Sequence, residues 1–174
     1  MTVVASNDND SFPVLKTAVI SPCGTYRYEL RRRWNDDEPL LPFVMLNPST
    51  ADATLDDPTI RRCVGFARRE KMGGIVVVNL FAFRATEPDK LKTAAHPYGP
   101  ENGAHLAAVA LEAAARDVPV VCAWGAWPRA TATANRVVGV LHEHGARLVC
   151  LGKTAAGRPR HPLYVRADEP LVPL

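Results

Sequence analysis

The sequence lacks any apolar run close to the ~20 residues that a membrane span needs, and its first residues show no basic stretch leading into an apolar core. Neither a membrane segment nor a secretion signal is expected. Closely spaced cysteines are also missing. Of the four cysteines, Cys23, Cys63, Cys122 and Cys150, none falls in a Cys-x-x-Cys pair, and their spacing fits no zinc or iron–sulfur pattern. Cys122 and Cys150 lie within apolar runs and read as reduced core residues, so a cytoplasmic location is the simplest expectation. Nor is there a strong charge of one sign. A formal net charge of +3 permits contact with a phosphate backbone but does not demand it. Without internal repeats or low-complexity linkers, the 174 residues suit one domain with a proper core. That domain is expected over 12–174, after a polar tail at 1–11 that is expected to be disordered.

What the sequence does have is alternation. Thr17–Ile20 and Thr25–Trp34 read as a hairpin around the turn Ser21-Pro22-Cys23-Gly24. Leu41–Leu46 is an apolar strand. Asp56-Asp57-Pro58-Thr59 then opens a helix with an acidic cap, proline in the first turn, and Ile60, Cys63, Val64 and Ala67 on one face. Gly73-Gly74 is expected to end it. Ile75–Leu80, Val118–Trp124 and Leu148–Leu151 are further strands, with helices over Glu101–Arg116 and Arg129–His144. Continuously apolar strands separated by helices predict an α/β fold: a three-layer α/β/α sandwich on a four-stranded parallel sheet, with the hairpin extending one edge antiparallel. In such sheets ligands bind beyond the carboxyl ends of the strands.

Polar residues crowd at those ends. Asn79 closes the second apolar strand, and its amide offers a donor and an acceptor together, which suits a nucleobase edge; it could equally bond local backbone. Asn47-Pro48-Ser49 follows the first strand and could hold a water or turn backbone N–H groups toward a ligand, or be a plain turn. Asp52, Asp56 and Asp57 come next. One of them should cap the helix, with Asp56 the candidate, leaving Asp52 and Asp57 as freer carboxylates for base catalysis or for opposing a cationic transition state.

His161 stands on a loop with Lys153, Arg158 and Arg160, where it could donate to a leaving group or a phosphate. Gly152-Lys153-Thr154 looks like the end of a phosphate-binding loop, but the upstream glycine is missing, so no triphosphatase is expected. Arg31-Arg32-Arg33 reads as a solvated edge. The basic face of the first helix (Arg61, Arg62, Arg68, Arg69, Lys71) is either solvated or tracks a phosphate backbone. No metal and no cofactor are expected.

Taken together, Val44-Met45-Leu46-Asn47-Pro48-Ser49-Thr50-Ala51-Asp52, Asp56-Asp57-Pro58-Thr59, Asn79-Leu80-Phe81-Ala82 with Arg84-Ala85-Thr86, and Arg160-His161-Pro162-Leu163-Tyr164 resemble the bacterial and phage family known as domain of unknown function 1643. The order of motifs is also distantly similar to the uracil-DNA glycosylase superfamily. That resemblance implies a water-positioning loop at Asn47-Pro48-Ser49, a base-reading asparagine at Asn79, and a His-Pro loop at His161-Pro162 that stabilises the departing base. Met45 stands where a glycine usually opens the first loop, and Leu163 replaces the serine that follows His-Pro. The implied activity is hydrolysis of an N-glycosidic bond of a base in DNA. Asn47, Asp52, Asp57 and His161 would be catalytic. Asn79, Phe66 and Phe81 would hold the base. Lys153, Arg158 and Arg160 would hold phosphates, and Leu163 would act as a wedge. A hydrolase of free nucleosides or nucleotides, or a silent nucleic-acid-binding domain, are the alternatives; a monomer is expected.

Overall fold

Apolar strands buried on both faces build the middle of the sheet. The computed structural model describes residues 2–6 and 14–174. Its strands are β1 (Thr2–Ser6), β2 (Val14–Ile20), β3 (Arg27–Arg33), β4 (Leu40–Met45), β5 (Gly74–Asn79), β6 (Val120–Cys122), β7 (Leu148–Cys150) and β8 (Val172–Pro173). Its α-helices are α1 (Pro58–Arg69), α2 (Asn102–Ala115) and α3 (Thr131–Glu143). All eight strands join one sheet in the order β1-β2-β3-β5-β4-β6-β7-β8. The pairs β5–β4, β4–β6 and β6–β7 are parallel, and the outer pairs are antiparallel.

The fold is α/β with a single sheet; the parallel run β5-β4-β6-β7 and the antiparallel hairpin β2–β3 at its side are present, but the sheet as a whole is larger than the expected four-stranded parallel one with an edge hairpin. It is a mixed sheet of eight strands. The two-residue β8, too short for any periodicity to reveal, pairs with β7. On the other side β1 lies outside the β2–β3 hairpin. Residues 2–6 of the expected tail are described as β1, paired with β2; residues 1 and 7–11 of it lie outside the described residues.

Alternation along each strand divides the core in two. Val44, Val76, Val78, Val120, Cys122 and Leu148 pack with α2 and α3. Leu41, Phe43, Met45, Ile75, Val77, Val121 and Val149 pack with α1. The chain thus leaves β4 for one face, and leaves β5 and β6 for the other. That reversal beside β4 opens a crevice at the carboxyl ends of the three strands.

Two sequence readings change here. Arg31-Arg32-Arg33 is not a solvated edge, because β3 is an interior strand between β2 and β5. Arg32 is buried and spends its guanidinium on Asp56 Oδ1 (2.7 Å) and on the carbonyls of Thr17, Arg31, Asp52 and Leu55. The basic face of α1 is only partly solvated: Arg61, Arg68 and Lys71 are exposed, but Arg62 and Arg69 are half-buried, and four of its arginines have partners within the protein. Arg61 donates to the Asp56 carbonyl, Arg62 to those of Pro162 and Val165, and Arg69 to those of Ala167 and Glu169. Arg68 lies over the Trp34 ring. These arginines strap the C-terminal segment and the loop before α1 to the body of the protein.

Among the described residues, no helix is long and apolar enough to cross a membrane. Cys63, Cys122 and Cys150 are buried free thiols, and Cys23 is an exposed one.

Candidate functional site

A cavity of about 430 Å³ occupies the crevice. Met45, Leu46, Asn47 and Ser49 line it from the end of β4, and Val77 and Asn79 from β5. Trp124, Gly125, Ala126 and Trp127 follow β6, and His161 and Tyr164 come from the loop after β7. Asp57, Thr59 and Ile60 at the start of α1 add one wall, and Arg27 at the start of β3 another. The volume falls in the range of small-molecule sites.

Asn79 is the last residue of β5 and only 1% exposed. Both its Nδ2 and its Oδ1 are buried without a hydrogen-bond partner. The backbone at this point needs nothing from that side chain. Asn102, the first residue of α2, donates its Nδ2 to the carbonyls of Asn79 (3.0 Å) and Leu80 (3.3 Å). Leu80 N–H donates to the Met45 carbonyl. The amide is therefore not a loop cap, and a buried amide with two orphaned ends calls for an explanation.

Asn47 ties the loops together. Its Nδ2 donates to the carbonyls of Pro48 (3.0 Å) and Ala85 (2.8 Å), which joins the loop after β4 to the loop after β5. Its side-chain oxygen remains as the acceptor.

The three aspartates have separate duties. Asp57, not Asp56, caps α1: it has an extended backbone and accepts from Ile60 N–H at 2.8 Å, with Pro58 opening the helix. Asp56 is turned away to Arg32 and to Lys16, at 3.2 Å. Asp52 Oδ1 accepts from Thr54 N–H, Thr54 Oγ1 and Leu55 N–H, and those backbone donors hold its carboxyl below the usual carboxylate range. Asp52 thus closes its own loop, and of the two freer carboxylates expected, Asp57 is the one in the cavity wall. Among the described residues no group of three or more His, Cys, Asp or Glu stands together as a metal cluster.

His161 is half-buried, and its Nδ1 accepts from Leu163 N–H at 3.3 Å. The neutral ring then carries its proton on Nε2. Burial pulls its pKa below the ordinary histidine value, and the charge of Asp57 pulls the other way. The neutral ring is therefore the form at pH 7. Because the folded value is the lower one, the stability it represents is whole above about pH 6.5. It is lost as the pH falls through the folded value. In a two-dimensional ¹H–¹⁵N spectrum, His161 should titrate below pH ~6.5 with the Nε2–H tautomer dominant. Asp57→Asn should lower the midpoint further, since asparagine keeps the cap but not the charge.

Gly125 (φ +76°) turns the chain between Trp124 and Trp127, and a Cβ there would come within 3.4 Å of His161 Cβ. Arg158 donates Nη1 to the carbonyls of Ala126 (3.3 Å) and Trp127 (3.0 Å). It props the tryptophan loop rather than presenting a free charge. Lys153 and Arg160 are exposed on the neighbouring loop, and Leu163 (41% exposed) sits beside Tyr164 (81% exposed) at the mouth.

Two residues expected to stack on a base do not line the cavity. Phe66 is core beneath α1, covered by the guanidinium groups of Arg62 and Arg69 at 5.0 and 5.1 Å from its ring centre. Phe81 packs in the opposite core, edge-on to Trp127 at 5.9 Å. The aromatic walls come instead from Trp124, Trp127 and Tyr164. The sequence reading gave Trp124 no role beyond ending a strand, and it missed Trp127 and Arg27; for Arg27 the available signal was its place between Tyr26 and Tyr28. The cavity brings together Asn47, Asp57, Asn79 and His161, but not Asp52, Phe66, Phe81, Lys153, Arg158, Arg160 or Leu163.

No curated protein and no solved structure matches the chain. Residues 27–163 match the family model described as Protein of unknown function (DUF1643), and the chain belongs to that family.

Proposed function

We propose that the cavity receives a nucleobase and that the protein hydrolyses the N-glycosidic bond joining it to its sugar in DNA. The observation that carries this reading is the Asn79 amide, buried in the cavity wall with both polar ends unmet. A base edge with one donor and one acceptor would satisfy both. Trp124 and Trp127 offer faces for the ring. The His161 imidazole, neutral and protonated on Nε2, would donate to the base as it departs with negative charge. Asp57 would offset the cationic charge that develops on the sugar, and Asn47 would help place the attacking water. Lys153, Arg160 and Leu163 would meet a DNA strand at the mouth. A uracil-DNA-glycosylase type of α/β/α architecture is part of the same reading.

The alternative, hydrolysis of free nucleosides or nucleotides, draws support from a specific feature. Arg61, Arg62, Arg69 and Arg158 are engaged on backbone carbonyls, which leaves fewer cations for a long phosphate track.

The test is incubation with end-labelled oligonucleotides, each carrying one altered base, followed by alkaline cleavage. Nucleosides and nucleotides are assayed in parallel for base release. Breaks on one substrate, lost in Asp57→Asn and His161→Ala, are the expected result. Base release from monomers alone selects the alternative. Binding without release in either arm would leave a nucleic-acid-binding domain.

A further inference from the structure

Arg27 opens β3 and lies 2% exposed in the cavity wall. Its Nη1 donates to the Ala51 carbonyl at 2.5 Å. Its Nε is buried with no hydrogen-bond partner. Among the described residues it has no ion pair: Asp57 and Asp52 act on it through space, and Arg84 and Arg32 oppose them with charge of its own sign. Burial brings its pKa down to about 10, which leaves it charged at neutral pH. A buried guanidinium without a carboxylate partner is costly to keep. Here it stands in the wall that also holds the unmet amide of Asn79.

With Nη1 committed to Ala51, the Nε–Nη2 edge remains. That edge is the planar fork that matches two oxygens of a phosphate or carboxylate. Arg84 adds to the positive potential. Its own Nε is buried without a partner, while its Nη1 holds the Gly24 carbonyl.

We propose that Arg27 seats a phosphate of the ligand, so that the cavity takes a phosphorylated nucleoside, with the base edge on Asn79 and the phosphate oxygens on the Nε–Nη2 edge of Arg27. This rests on the base-binding reading for the Asn79 half alone. The phosphate belongs either to a free mononucleotide or to a polynucleotide strand, and the chemistry of the seat is the same for both.

Calorimetric titration of the full chain with a nucleoside, its 5′- and 3′-monophosphates and a short single-stranded oligonucleotide tests it. Arg27→Met and Asn79→Leu run alongside. In the wild type a monophosphate should bind about 10- to 100-fold more tightly than the nucleoside. In Arg27→Met that ratio should fall to about one. Inorganic phosphate, compared with chloride at equal ionic strength, should raise the wild-type unfolding temperature and leave that of Arg27→Met unchanged. Equal wild-type affinity for nucleoside and both monophosphates, or no stabilisation by inorganic phosphate, overturns the proposal even if Arg27→Met does not fold. So does an undiminished phosphate effect in a folded Arg27→Met.

A mononucleotide that outbinds the oligonucleotide assigns the phosphate to a free nucleotide, and the reverse assigns it to a strand. Nucleoside binding with no phosphate gain leaves the base reading standing and removes the anion seat. A phosphate gain that depends on Arg27 but is indifferent to Asn79→Leu keeps the seat and removes the base reading.

Discussion

Asn79→Leu should unfold at a higher temperature than the wild type and fail to process substrate. The gain comes from removing two buried polar atoms that have no hydrogen-bond partner within the protein, since an unsatisfied buried group costs about 1–3 kcal/mol. For a domain of this length each kcal/mol moves the midpoint by roughly 2–4 °C, so a rise of about 3–10 °C is expected. The loss comes from the same atoms, because a bidentate contact to a base edge is worth about 1–3 kcal/mol and a leucine also leaves the base's own polar edge unmet. Together these lower kcat/KM by about a hundredfold or more. The two effects have opposite signs, which separates a binding role from a structural one. A structural asparagine would lose stability on replacement, and a melting temperature below wild type with activity intact would end the base-reading argument. Such a trade of stability for function is what a preorganised polar site imposes.

How far this site could be read from the sequence depended on how local each signal was. The central strands were legible because parallel strands buried on both faces leave unbroken apolar runs, as in Ile75-Val76-Val77-Val78. Asn79 was legible as a polar residue ending such a run. β8 was not, because two residues carry no period, and β1 was hidden behind the polar stretch that follows it. The pair Asp56-Asp57 shows the limit most clearly. Both are acidic and both precede Pro58, so spacing could not say which one caps the helix. The choice is made by Arg32, 24 residues upstream, which claims Asp56 through a contact that exists only once β3 lies beside the loop. Arg27 was obscured in the same way. On a strand that continues into Arg31-Arg32-Arg33 an arginine reads as solvated, and its burial follows from the loop that folds over it through Ala51. Phe81 misled because an aromatic just past a strand end looks alike whether it faces a cavity or the core, and Phe66 because its buried place on α1 faces the sheet rather than the crevice.

Asp56→Ala should be the most destabilising single change in the loop before α1. Its carboxylate meets Arg32 Nε at 2.7 Å and Lys16 Nζ at 3.2 Å, with Arg32 1% and Lys16 9% exposed on their side chains. Removing it leaves two buried cations without their counter-charge, a change that costs about 3–5 kcal/mol for fully buried pairs. Asp56 itself keeps 21% of its side-chain surface, so the lower end applies: a loss of about 3 kcal/mol and a fall of roughly 10 °C in the unfolding midpoint. Asp57→Asn, one position along, should change the midpoint by little, because asparagine caps a helix as well as aspartate does. Denaturation of the two variants side by side therefore reads the division of labour directly. Asp56 anchors the loop to β3 and so fixes where Asp57 stands, whereas Asp57 supplies charge to the cavity. A large fall for Asp57→Asn with little for Asp56→Ala would reverse that assignment.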